Sequence, residues 1–243
     1  MKKFTAFILV VSLLLVCSCG AGTDEEGLAF LRDSAKTWSN KTDYSASFCL
    51  NMTVDGLEYT LLFAQGSYTV TSSDGNVKLD AKMSQVSLGT SADITASWEN
   101  GVMTSVCSGT EIKSEMTESE LFGSITYIRP FVPDDKYVES CESLMTGAGS
   151  GYDMKLNDAA DVLYPLVGGD IFSLASIYKP RYDMTKVKDA AIIYTTDGSD
   201  ITGMKISFVL KVYDTPPYVP GGADPDPDDY ALEINVSFNV EYK

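Results

Sequence analysis

The chain has 243 residues, 34 acidic and 18 basic, a formal net charge of −16 and no histidine. The missing imidazole excludes Ser-His-Asp and Cys-His catalysis and every His-dependent zinc or iron site, and a chain without a basic stripe does not bind nucleic acid. With 44% hydrophobic and 11% aromatic residues, it can build a packed core, and its length fits one large domain or two small ones.

Lys2 and Lys3 form a basic n-region, and residues 4–16 are an almost unbroken apolar run. That run is shorter than the roughly 20 residues a membrane-spanning helix needs and suits the h-region of a secretory signal peptide. Val16-Cys17-Ser18-Cys19-Gly20 follows. A branched apolar residue, then a small residue directly before Cys, resembles the lipobox of bacterial lipoproteins. The resemblance implies signal-peptidase recognition through Val16, Cys17 and Ser18, with acylated Cys19 as the first mature residue. The plainer alternative is an ordinary cleaved signal peptide that carries two cysteines. On the lipoprotein reading, residues 1–18 are the signal and 19–243 a single domain. Loss of Lys2 and Lys3 leaves 16 basic against 34 acidic residues, a balance of −18. Anionic headgroups repel such a surface, so the acyl chains on Cys19 have to do the holding.

Residues 24–39 open with Asp24, Glu25 and Glu26 and then space Leu28, Leu31, Ala35 and Trp38 by three or four, which predicts an amphipathic helix with acids at its positive end. From Tyr44 the period changes to two. Strands are predicted over 44–54, 57–70 (with a break near Gln65-Gly66), 77–88, 92–98 and 102–116, punctuated by the turn dipeptides Asp55-Gly56, Asp74-Gly75 and Asn100-Gly101. Thr117-Glu118-Ser119-Glu120 is a capping box opening a short helix through about residue 125. Residues 137–145 and 152–156 read as a strand pair about the flexible tip Gly147-Ala148-Gly149-Ser150-Gly151, which no Lys follows and which is therefore not a phosphate loop. Asn157 caps a predicted helix over 158–167, kinked or ended early by Pro165. Long alternating strands are predicted over 187–196, 204–213 and 230–242, with a turn at Asp197-Gly198 and a Pro-, Gly- and Asp-rich loop over 214–229. A thirteen-residue strand spans about 43 Å and has to twist and curl. The expected fold is α+β: a large curled antiparallel sheet, an open half-barrel, with an N-terminal helix and one or two helices covering one face.

A lipobox, a helix ending near Trp38, Asp43-Tyr44-Ser45 leading into the first strand, a long meander, a helical insertion and Asp197-Gly198-Ser199-Asp200-Ile201-Thr202-Gly203-Met204-Lys205 opening the last long strands together resemble the LolA/LppX-like superfamily of lipoprotein carriers and envelope lipoproteins. The resemblance implies helices against the concave face of a half-barrel, covering an apolar cavity for an acyl chain. It also implies Leu121, Phe122, Ile125, Leu163, Leu166 and Val167 as cavity-lining candidates, which equally could complete a solid core.

The remaining motifs are weaker. Asp224-Pro225-Asp226-Pro227-Asp228-Asp229 clusters carboxylates that could bind Ca²⁺, but it lacks the central Gly and final Glu of an EF-hand and reads as a solvated loop. Glu118 with Glu120, and Glu139 with Glu142, are glycosidase-like carboxylate pairs that nothing singles out from the other acids. Cys49, Cys107 and Cys141 allow at most one internal disulfide and are expected to be small buried hydrophobes. The expected protein is a non-catalytic, membrane-anchored, extracytoplasmic binding or carrier module for a lipid or other apolar ligand, without cofactor or metal. The alternative is a surface interaction or scaffold protein with a solid core.

Overall fold

The computed structural model describes residues 23–56, 60–73, 75–87, 89–124, 129–146, 149–157, 163, 186–213 and 231–243. Helix α1 (Glu25–Trp38) begins where the sequence signals it, since the Gly27 amide donates to Asp24 Oδ1 at 2.8 Å and Glu25 and Glu26 occupy the first turn. Its buried side carries Gly27, Leu28, Leu31, Ser34 and Trp38. Eleven strands follow: β1 (Tyr44–Val54), β2 (Thr60–Ser73), β3 (Asn76–Ser87), β4 (Thr90–Glu99), β5 (Val102–Cys107), β6 (Thr110–Glu115), β7 (Val138–Thr146), β8 (Gly149–Leu156), β9 (Lys186–Thr196), β10 (Ile201–Tyr213) and β11 (Ala231–Tyr242). Between β6 and β7 lie a short helix α2 (Glu118–Ser124) and a 3₁₀ turn (Asp135–Tyr137).

All eleven strands form one antiparallel sheet in the order β6-β5-β4-β3-β2-β1-β11-β10-β9-β8-β7. The chain starts at the centre of the sheet and meanders to one edge. It crosses through α2 to the other edge and meanders back until β11 lies beside β1, with reciprocal bonds between the backbones of Ser45 and Lys243 at 3.0 and 2.8 Å. The edges β6 and β7 do not pair, so the sheet curls without closing. This is the half-barrel expected from the strand pattern.

Local chemistry explains where strands end. Asn100 (φ 52°) and Gly101 (φ 80°) both lie in the left-handed region, as a type I′ hairpin requires. Residues 102–116, expected to continue the meander, form two strands: Ser108 (φ 49°) and Gly109 (φ 82°) make a second turn of the same kind. Gly66 was expected to interrupt its strand, but β2 runs through it in register, with Gly66 opposite both Phe48 and Met83. A Cβ there would strike the Lys82 carbonyl and come within 2.9 Å of the Phe48 ring, so this glycine serves close packing. The glycine-rich tip is also tighter than expected, because Gly149, Ser150 and Gly151 are laddered to Thr146, Met145 and Leu144. The capping box is formed: the Glu120 amide donates to Thr117 Oγ1 at 3.2 Å, and the Thr117 amide donates to Glu120 Oε2 at 2.7 Å.

The period-2 pattern sorts side chains onto two faces. Even positions of β1 and β11 (Tyr44, Ala46, Met52, Val54; Ile234, Val236, Phe238, Val240, Tyr242) are buried, together with Met204, Ile206, Phe208 and Leu210 of β10. Odd positions such as Ser47, Asn51, Asn239 and Glu241 carry polar groups to the other face. Helix α1 lies on the apolar, inner face: Trp38 meets Tyr44 edge-on with ring centroids 5.3 Å apart and Tyr242 at 5.1 Å. Each of the fully enclosed side chains, Leu31, Ile192 and Leu210 among them, is worth about 1.5–3 kcal/mol of transfer free energy.

Candidate functional site

The inner face is not covered evenly. Under α1 and across β7–β11 it is filled: Tyr194, Met154, Ile192, Ile206 and Cys141 have at most 1% of their surface exposed, and the Tyr194 hydroxyl donates to the Phe131 carbonyl at 2.9 Å. Across β3–β6 the same face is only half buried. Register places Phe48, Gly66, Met83, Ile94 and Cys107 in one row across β1 to β5. Apart from the glycine these side chains are apolar or nearly so, yet all remain partly exposed. Ile112, two rows along on the edge strand β6, is 60% exposed. Two grooves cross β1 to β5 on the opposite, polar face, where register aligns Ser47, Ser67, Lys82, Thr95 and Val106. One of about 570 Å³ runs between the outward positions Ser47, Lys82 and Thr95 and the outward positions Gln65, Ser84 and Asp93, over the strand positions of Phe48, Gly66, Met83 and Ile94. A second of about 420 Å³ has a mostly polar rim, including Thr69, Asp80, Thr95 and Thr104.

At one end of the sheet the inner face carries aromatic and cationic groups. Tyr44 and Tyr68 meet edge-on at 6.4 Å, and the Trp98 indole donates to the Met116 carbonyl at 2.7 Å, which seats the approach to α2. Lys41 lies over the Trp38 ring at 3.8 Å and pairs with Asp200 at 2.8 Å. The Arg129 guanidinium stacks on Phe122 at 3.9 Å and donates to the Lys41 carbonyl at 3.4 Å. Burial raises the Tyr44 phenol pKa, and the adjacent Arg129 pulls in the opposite direction.

The sequence-derived candidates divide as follows. Leu121 and Leu163 are fully enclosed in the core, and Phe122 is half buried against it. Ile125, Leu166 and Val167 lie outside the described residues, as do Val16, Cys17, Ser18, Cys19 and the acidic loop at 224–229. The glycosidase-like pairs gain nothing from the fold. Glu118, Glu120, Glu139 and Glu142 are all exposed, and Glu120 is held below the usual carboxylate range by bonds from Thr117, the opposite of a general acid. Among the described residues no group of three or more Cys, Asp or Glu side chains gathers as a metal site. Cys141 is buried as expected and its thiol is pushed up to about 11 by burial and nearby acids. Cys49 and Cys107, expected to be buried, are partly exposed free thiols. Cys107 shares the inner-face row with Phe48, while Cys49 sits at the next, outward position of β1. Arg129 escaped the sequence reading; its only signal is a cation between Ile128 and Pro130 in an apolar stretch.

No family model matches the sequence, and no curated protein matches it. Among solved structures, LprF from Mycobacterium bovis covers 89% of this chain and 93% of its own at 13% identity and a TM-score of 0.40. A DUF1329 family protein from Desulfovibrio piger covers 91% and 92% at 9% identity and a TM-score of 0.28.

Proposed function

We propose that this chain is a non-catalytic, lipid-anchored extracytoplasmic module that holds an apolar or amphiphilic molecule on the inner face of its half-barrel. The observation that carries the reading is the row Phe48, Met83, Ile94 and Cys107: side chains of interior type, in register, left partly exposed. Exposed apolar surface of this extent on an otherwise acidic protein is a binding surface. Leu121, Phe122, Leu163, Ile125, Leu166 and Val167 are its proposed cover. Residues 1–18 are removed, 19–243 are one domain, and the acyl chains on Cys19 hold it at the cell envelope membrane, because a surface of net charge −18 gains nothing from anionic headgroups.

The alternative, a scaffold with a solid core, draws on the filled half of the interior under α1. Native mass spectrometry of the full mature protein separates the two. A co-purified lipid, or uptake of a long-chain amphiphile added in detergent-free buffer, supports carriage. A protein that is lipid-free and takes up none is a scaffold.

A further inference from the structure

Two polar atoms on the inner face are buried without a hydrogen-bond partner of ordinary geometry: the Tyr44 hydroxyl and Arg129 Nε. Tyr44 is only 6% exposed, and both atoms belong to one cluster, since Arg129 lies beside the Tyr44 phenol. A buried donor left unpaired costs about 1–3 kcal/mol, and more if it is charged, so a pair of such donors requires an explanation. The chain has 34 carboxylates for 18 cations, and Lys41, Lys188 and Arg32 each find one. Arg129 has none among the described residues; a ring face, a backbone carbonyl and the Tyr44 phenol are its contacts instead. Stacking on Phe122 fixes the guanidinium plane, and a fixed, planar donor fork suits a bidentate oxyanion.

We infer that Arg129 and Tyr44 form a recognition site for an oxyanion head group, carboxylate or phosphate, on an amphiphile whose chain lies along the inner face. Tyr44 and Phe48 are four residues apart on β1, about 13 Å at 3.3 Å per residue. A head group at Arg129 therefore directs an extended chain along the strand towards Phe48, Met83 and Ile94. Phe122 touches both parts, stacking under the cation and packing against the core. The inference rests on the carrier reading and narrows it from apolar ligands to anionic amphiphiles.

The test compares palmitate, hexadecanol, acetate and inorganic phosphate on the full mature protein by isothermal titration calorimetry, with the Arg129→Gln and Tyr44→Phe variants beside the parent. Palmitate should bind about tenfold or more tighter than hexadecanol. Arg129→Gln should abolish that preference and leave hexadecanol unchanged. Tyr44→Phe, which deletes one oxygen and keeps the ring packing, should reduce the preference severalfold even if Arg129→Gln fails to fold. Equal binding of the acid and the alcohol by the parent overturns the head-group site and leaves carriage standing. Acetate or phosphate binding as tightly as palmitate makes it a site for a free anion and overturns the amphiphile. Binding of none of the four overturns both the site and the carrier reading.

Discussion

The Trp38 indole N–H donates to the carbonyl of Ile201 at 3.0 Å, joining residues 163 positions apart. One turn earlier on α1, Ser34 Oγ accepts from the Ile201 amide at 2.9 Å and donates to Asp200 at 3.2 Å. The first residue of β10 thus has both backbone groups held by the helix, which fixes α1 on the inner face and decides which part of that face stays open. Trp38→Phe keeps most of the aromatic packing and strands the Ile201 carbonyl, so it should cost about 1–3 kcal/mol. Adding Ser34→Ala should be non-additive, because the two side chains hold one residue. Urea denaturation of both single variants and the double variant measures this, and simple additivity would show that the clamp is not a unit.

Gly66→Val should destabilise by about 1–3 kcal/mol through overpacking, since its Cβ meets the Lys82 backbone and the Phe48 ring. Gly66 has no positive φ, so strain is not the cause. Phe48→Leu in the same chain should recover only part of the loss, because the Lys82 carbonyl cannot move away as a side chain can.

Thiol accessibility follows burial. In the folded protein at pH 8, iodoacetamide should modify Cys49 and Cys107 and spare Cys141, whose thiol is enclosed and pushed up to about 11. All three should react in denaturant. Mass spectrometry of the peptides checks this, and native labelling of Cys141 would mean that the β7–β8 region opens readily.

Alkaline stability should fall in a defined direction. Burial raises the Tyr194 and Tyr242 phenols well above 10. The folded state therefore holds these protons more tightly than the unfolded one. Their contribution is complete below pH 10 and is lost as pH rises beyond it. Near-ultraviolet titration should show two phenols that ionise only with unfolding. Tyr194→Phe should flatten the alkaline limb, at the cost of the unpaired Phe131 carbonyl.

Cys19→Ser should move the protein from the membrane fraction to the soluble extracytoplasmic fraction with its fold unchanged. Unaltered membrane retention of the Cys19→Ser protein once residues 1–18 have been removed would refute the acyl anchor, because a surface of net charge −18 is repelled by anionic headgroups.

Strand and turn positions were legible wherever a local rule set them. Asn100-Gly101 and Asp55-Gly56 turn because glycine takes positive φ freely, and the uninterrupted alternation of β10 and β11 sets one apolar face. Ser108-Gly109 carries no such signal, because serine rarely leads such a turn. Gly66 reads as a break because a glycine that breaks a strand and one that admits a neighbouring ring look alike in one dimension. The Arg129 site was not legible at all: Lys41, Tyr44, Phe122 and Arg129 come from three separate stretches of chain, and only the crossover between the sheet edges brings them together.

By itself, then, the sequence determined the class of the protein. Period-2 alternation over strands too long to stay flat demands a curled antiparallel sheet, and the absence of histidine removes the commonest catalytic chemistry. Tertiary structure decided which half of the inner face is filled and what surrounds Arg129. Both depend on where α1 and the crossover lie on the sheet, a balance of contacts between distant residues that no local pattern encodes.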